Sequence, residues 1–118
     1  MRAFVEQFPF ASGRASLAPP FPDYVEEIVL AADAPAAVPL PAGARYVVLS
    51  FSGDVRVKLG TGGTVVGSGA ASTGDGSGAE WNPAARRIPA TLADGATVPT
   101  HLCLRAPAAC RGSLAFYG

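Results

Sequence analysis

The residues best suited to chemistry are His101 and Cys103, which are spaced so that both side chains would lie on one face of a β-strand. A histidine and a thiolate can each supply a ligand to a metal ion, and zinc sites take about three or four protein ligands. The sequence offers one histidine and two cysteines. Because the other cysteine, Cys110, is predicted to face the core, we expect His101 to have a structural role.

The acidic candidates are Asp75 and Glu80, which could supply oxygen ligands to a calcium ion. Calcium takes about six to eight oxygens, so two carboxylates are too few unless another subunit contributes. Elsewhere no nucleophile is paired with a base, and no two carboxylates are paired for acid–base catalysis. The sequence therefore predicts a protein that is not an enzyme and that uses no metal or cofactor.

Two glycine-rich segments resemble phosphate-binding loops in composition alone. They are residues 60–63 and the loop 67–79, which reads GSGAASTGDGSGA. A phosphate loop needs a helix that begins directly after it and usually a lysine, and neither segment has these. We therefore expect a turn at the first segment and a surface loop at the second.

Trp81 and the pair Arg86-Arg87 are candidate binding residues. The arginines could bind a carboxylate on a partner, although a solvated pair beside a strand is the favoured interpretation. Trp81 could stack on a sugar, although a tryptophan next to a turn more often packs at the edge of a core. A sugar platform would pair Trp81 with one of three tyrosines, Tyr24, Tyr46 or Tyr117.

Charge and composition argue against several classes of protein. Nine basic and nine acidic residues give zero formal net charge, whereas nucleic-acid binders need basic residues in excess. No run approaches the roughly 18 apolar residues of a membrane helix. Glu6 and Gln7 interrupt the apolar stretch that a secretion signal would need. We therefore expect a cytoplasmic product with reduced cysteines that binds neither nucleic acid nor membrane.

The clearest strand pattern lies at residues 45–59, on both sides of Ser52-Gly53-Asp54. A hairpin with a three-residue loop would place six apolar side chains on one face: Val47, Leu49, Phe51, Val55, Val57 and Leu59. The other face would carry Ser50, Arg56 and Lys58. This pattern predicts an antiparallel sheet with one buried face.

A second hairpin is predicted between residues 97–105 and 109–117. Pairing Cys103 directly with Cys110 would allow a disulfide, but the apolar faces of the two strands would then point in opposite directions. A register with Leu104 opposite Cys110 puts the apolar residues on one face. Burying several such side chains at roughly 1.5–3 kcal/mol each outweighs the roughly 2–4 kcal/mol of a disulfide, so free thiols are predicted.

Residues 1–23 differ from the rest of the chain, because four of the six phenylalanines lie there among prolines: Phe4, Phe8, Phe10 and Phe21. Proline disfavours helices and central strands, so these residues are predicted to form an extended arm. Two interpretations stay open. The aromatic side chains are covered by the chain's own fold, or they lie on a neighbouring subunit.

Residues 24–118 are predicted to form one domain. The 14 glycines and 11 prolines favour short strands joined by turns. Further strands are expected at 24–32, at 36–41, which is an edge segment because of its prolines, and at 64–66. This pattern predicts an all-β fold, an antiparallel β-sandwich or jelly roll with an extended N-terminal arm.

Several segments resemble small β-sandwich virion proteins of tailed bacteriophages, over roughly residues 24–117. The family has an xYVRxG-type strand, a DGxGxExNP loop and an LxAPxxCxxxLxFY ending. The matching segments here are ARYVV at 44–48, DVRV at 54–57, TGDGSGAEWNP at 73–83, and 102–117, which opens LCLRAPAAC and ends LAFY. The second strand departs from the family pattern, since it reads Val55-Arg56-Val57 instead of Tyr-Val-Arg.

The resemblance implies a capsid decoration or cement protein, made in the host bacterial cytoplasm and located on the capsid surface of the virion. Such a protein binds itself, as a homotrimer, and the major capsid protein at capsomer junctions. The arm residues Phe4, Phe8, Phe10 and Phe21 would then bind the partner. Two alternatives remain: a head–tail or tail component, or a carbohydrate-binding module that recognises the host surface.

Overall fold

The computed structural model describes residues 1–3 and 19–118, which form eight strands and no helix. The strands are β1 (Val25–Leu30), β2 (Ala36–Pro39), β3 (Tyr46–Phe51), β4 (Arg56–Gly60), β5 (Glu80–Trp81), β6 (Ala85–Arg87), β7 (His101–Arg105) and β8 (Cys110–Tyr117). In these two ranges, no helix has the length and apolar character needed to cross a membrane. The predicted all-β class is thereby confirmed.

The strands form two antiparallel sheets of four strands each. Sheet 1 has the order β1-β8-β3-β6 and sheet 2 has the order β2-β7-β4-β5. Except for β4 and β5, strands that follow each other in the chain lie in different sheets. Most connections therefore cross from one sheet to the other, and β8, β3, β7 and β4 are the inner strands.

One apolar face of each sheet contributes to a single core. Alternate residues of the inner strands supply most of it, as the period of a pleated strand requires. The buried members are Leu30, Val47, Leu49, Leu114 and Phe116 from sheet 1, Val38, Val57, Leu102 and Leu104 from sheet 2, and the flanking residues Val55 and Ala106. Burial of each larger side chain stabilises the fold by about 1.5–3 kcal/mol.

The predicted hairpin at residues 45–59 is wrong. β3 pairs with β8 and β6, whereas β4 pairs with β7 and β5. The apolar sides of the two strands are nevertheless buried together, because Leu49 and Val57 belong to the same core. Alternation determines which face of a strand is buried, and that face can be covered by a facing sheet as well as by a neighbouring strand.

The predicted hairpin near the end of the chain is wrong for the same reason. β7 lies in sheet 2 and β8 in sheet 1, so Leu104 lies opposite Val57 and Cys110 lies opposite Leu30. The predicted core faces are confirmed, since Leu104 and Leu114 are fully buried. Both thiols are free, as predicted.

The shorter segments give a mixed outcome. Strands β1 and β2 fall inside the predicted ranges 24–32 and 36–41, and β2 is an edge strand as its prolines indicate. Residues 64–66 do not form a strand, although Val66 is buried. Strands β5 and β6 were not predicted, because two and three residues are too few to show a period.

Candidate functional site

The candidate metal ligands have structural partners. The Cys103 side chain is 2% exposed, and its Sγ donates a hydrogen bond to the Thr61 carbonyl at 3.4 Å. Burial raises the pKa of this thiol, which opposes formation of the thiolate that a metal requires. His101 is half-buried, and its Nδ1 lies 2.8 Å from Oγ1 of Thr100.

The acidic candidates do not come together. Glu80 forms an ion pair with Arg86, and hydrogen bonding from that arginine lowers the pKa of the Glu80 carboxyl. Asp75 accepts hydrogen bonds from the hydroxyl and amide of Ser77, which likewise lower its pKa. Within residues 1–3 and 19–118, no three histidine, cysteine or acidic side chains are placed to hold a metal ion.

The glycine-rich loop is held against the outer face of sheet 2 by basic side chains. Lys58 Nζ donates to the Ser77 carbonyl at 2.8 Å, and Arg56 Nη1 donates to the Gly67 carbonyl. Arg105 Nη1 donates at 3.1 Å to the carbonyl of Val66, which directly precedes the loop. Residues 67–78 are exposed, so the predicted surface loop is confirmed. The loop is attached through its backbone carbonyl groups. The sequence gives no sign of these contacts, because every residue has a backbone carbonyl.

Arg56 and Trp81 form a stacked pair under this loop. Arg56 is only 7% exposed, although the sequence predicted a solvated face. Its guanidinium carbon lies 5.3 Å from the centroid of the Trp81 ring, an arrangement that stabilises a weakly hydrated cation. Trp81 itself is 48% exposed on the outside of sheet 2, so its expected position at the edge of the core is wrong.

The alternative of a sugar platform, in which Trp81 pairs with one of the three tyrosines, is not formed. Tyr46 and Tyr117 lie in sheet 1 and meet edge to face at 6.4 Å. Tyr24 precedes β1 and packs edge to face against Phe116 at 6.0 Å. These rings therefore belong to the other sheet and support its packing.

The described residues on either side of residues 4–18 lie together at one corner of the fold. The Arg2 amide donates to Oδ1 of Asp23 at 2.7 Å, and the Gly118 amide donates to the Arg2 carbonyl at 2.9 Å. The Tyr117 hydroxyl donates to the Pro20 carbonyl at 2.8 Å. Of the predicted partner-binding residues, Phe4, Phe8 and Phe10 fall outside the described residues. Phe21 is 93% exposed.

A groove of about 1120 Å³ opens next to this corner, and we name it the end groove. Its walls come from the turn between β2 and β3 and from the segments that leave β6 and enter β7. The apolar residues among them include Leu40, Pro41, Ala44, Ile88, Pro89, Val98 and Pro99. Val98 is 63% exposed, which is unusual for a valine beside other apolar side chains.

The charged side chains among the described residues that line the end groove are both basic. Arg45 and Arg87 both lie along it, and no acidic side chain is among the described residues that line it. Ala3 lines it as well. The residue that directly precedes residues 4–10, which we name the phenylalanine-rich segment, therefore lies at the groove. The groove therefore combines apolar walls with arginines, a combination that suits an apolar peptide carrying a carboxylate.

The end groove was not foreseen, because its residues lie in three segments far apart in the sequence. One signal was available: Leu40, Ile88 and Val98 each stand beside a proline. Arg86, expected to be solvated or to bind a partner, instead binds Glu80 across the gap between the edge strands β5 and β6.

Comparison of this chain with protein families, with characterised proteins and with solved structures gives no match.

Proposed function

We propose that this chain is a non-enzymatic structural protein of a phage virion, a capsid decoration or cement protein that stabilises the head. It binds other copies of itself, as a homotrimer, and the major capsid protein at capsomer junctions. The support is the set of sequence motifs at 44–48, 73–83 and 102–117, taken together with the strand order and the exposed apolar side chains.

The strand order is the observation that carries the proposal. The pairs β1–β8, β3–β6, β2–β7 and β4–β5 are those of one long hairpin, and β3–β8 and β4–β7 arise when that hairpin rolls up on itself. We infer from this order that the two sheets form a jelly-roll sandwich. Jelly rolls are recurrent in viral capsid proteins, although lectins and cupins share them, so the fold alone leaves several functions open.

The exposed apolar side chains support a role in binding other proteins. Phe21, Val29 and Val98 are among the large apolar residues that remain exposed. Val29 lies on β1, an edge strand of sheet 1, and edge strands are common sites of association between chains. A neutral chain also has little net charge to oppose self-association.

A binding measurement tests the role of the arm. The ligand is a head assembled from the major capsid protein encoded nearest to the gene of this chain. The double variant Phe8→Ser and Phe10→Ser keeps the contacts of residues 1–3 and 19–23, and we expect it to bind at least about tenfold more weakly, because two large apolar side chains no longer become buried.

The matched control is Val65→Ser, which changes an exposed residue outside the arm. It should bind heads as the wild type does. Failure of the wild-type chain to bind heads, or equal binding by the double variant, would contradict the proposal. A gene located among tail genes would favour the head–tail or tail component instead.

A carbohydrate-binding module is the second candidate, and one observation favours it: Trp81 is half-exposed. One side of its ring is occupied by Arg56, which leaves the other side for a sugar. Glycan-array binding that Trp81→Ala abolishes and Val65→Ala retains would favour this function over capsid decoration. Absence of binding by the wild type would eliminate it.

A further inference from the structure

We propose that the end groove binds the phenylalanine-rich segment of a second copy of this chain, residues 4–10 with the sequence FVEQFPF. The inference rests on the self-association proposed above, and its test requires no capsid. It names the surface through which two copies meet, and it is carried by the walls of the groove, by its charge and by the position of Ala3.

The walls provide the apolar part of the recognition. Leu40, Ile88 and Val98 line a groove of about 1120 Å³, large enough for several side chains of an extended peptide. A large apolar side chain such as Val98 that is left exposed in a groove gains free energy when another apolar group covers it. Phe4, Phe8 and Phe10 are the largest apolar groups in the segment that the groove would receive.

The charges provide the polar part of the recognition. Arg45 and Arg87 lie along the groove, and no acidic side chain of the described residues lines it. The segment carries one acidic residue, Glu6, between its first two phenylalanines. A carboxylate held among apolar side chains matches a guanidinium at the margin of an apolar groove, and this pairing also fixes the direction of the peptide.

The position of Ala3 makes exchange between copies geometrically simple. Ala3 lines the groove and Arg2 is bonded to Gly118 and Asp23, so the residue that directly precedes the segment is fixed at the groove of its own copy. In the proposed homotrimer each copy can then place its segment in the groove of the next copy. Such a cyclic exchange makes the same contacts three times and adds contacts between the domains.

The first experiment is sedimentation equilibrium of the full chain and two matched variants. Val98→Asp places a charge in the groove, whereas Val65→Asp places the same charge on an exposed valine outside it. We expect the wild type and Val65→Asp to associate equally, and Val98→Asp to associate at least about tenfold more weakly. A monomeric wild type would overturn both this inference and the self-association.

The second experiment exchanges charges and separates binding between copies from binding within one copy. Glu6→Arg and Arg45→Glu should each weaken association, because each sets like charges against each other. An equimolar mixture of the two variants allows opposite-charge pairs between unlike copies only when segments are exchanged, so the mixture should associate more strongly than either variant alone. A mixture no better than either variant alone would overturn the inference.

Association that Val98→Asp leaves unchanged would also overturn the groove as the site. In that outcome the copies would associate through another surface, and the proposed binding to heads would not be contradicted.

Discussion

Among the described glycines, Gly112 leaves the least room for a side chain, at the point where β8 passes β3. A methyl group added there would lie 2.0 Å from the Ser50 carbonyl oxygen and 2.6 Å from Cδ1 of Phe51. Because the Ser50 oxygen belongs to the backbone, the strands would have to move apart. We expect Gly112→Ala to lower the free energy of unfolding by about 1–3 kcal/mol, measured by urea denaturation.

Gly74→Ala is the control for this variant, since an added methyl group at Gly74 meets nothing within 4 Å. Its free energy of unfolding should stay within about 0.5 kcal/mol of the wild type. Equal losses in the two variants would mean that the close approach of β8 to β3 is not what requires glycine at residue 112.

A second prediction for a single residue concerns the turn at Asp94. Hydrogen bonds from the Thr97 hydroxyl and from the amides of Ala96 and Thr97 lower the pKa of this carboxyl from 3.8 to about 2. Because the folded state favours the carboxylate, the turn is stabilised above pH 3.8, and that stabilisation is lost as the pH falls through about 2.

An NMR titration of the Asp94 carboxyl should therefore have its midpoint near 2. Thr97→Val removes the hydroxyl donor and should move the midpoint toward 3.8. A wild-type midpoint already at 3.8 would show that the carboxylate does not hold this turn.

Among the elements, the glycine-rich loop depends on sheet 2 for its position. Arg56 contributes a hydrogen bond to Gly67 and a stack on Trp81. We expect Arg56→Met, which retains the length of the side chain, to release this part of the loop. Backbone order parameters of Gly67 and Gly69 should then fall below about 0.6 in ¹⁵N relaxation measurements.

Arg111→Met is the control, because it removes an exposed arginine from sheet 1 and leaves sheet 2 intact. Its loop should keep the order parameters of the wild type. If Arg56→Met and Arg111→Met gave the same values, the loop would be held by Lys58 and Arg105 without a contribution from Arg56.

The strands show which features of the fold can be predicted from the sequence. The alternation of Val47 and Leu49, and of Leu102 and Leu104, correctly identified the buried faces. It could not identify the neighbours of those strands, because a buried face looks the same whether a paired strand or a facing sheet continues the core. Both predicted hairpins failed on that point.

The candidate site was harder to predict, because it depends on contacts without a periodic pattern. Arg56 is buried by the backbone of residues 67–69. These residues have no apolar side chain from which the contact could be predicted. The end groove joins three distant segments through Leu40, Ile88 and Val98. The free thiols were predictable, because burial of Leu104 and Leu114 decides the orientation of both cysteine-bearing strands.

At the scale of the whole molecule, several charged side chains are bonded within the fold, whereas several large apolar side chains lie exposed. Asp33 binds Arg105, Glu80 binds Arg86, and Lys58 binds the loop. In contrast, Phe21, Val29 and Val98 are exposed. These exposed side chains support the proposed role on a capsid, together with the sequence motifs and the strand order.

The most direct test of that role is a cryo-EM reconstruction of heads, assembled from the neighbouring major capsid protein, to which this chain has been added. The proposed function predicts extra density at the capsomer junctions, in groups of three copies, each accommodating a domain of two four-stranded sheets. Heads that show no added density at a saturating concentration of the chain would contradict it.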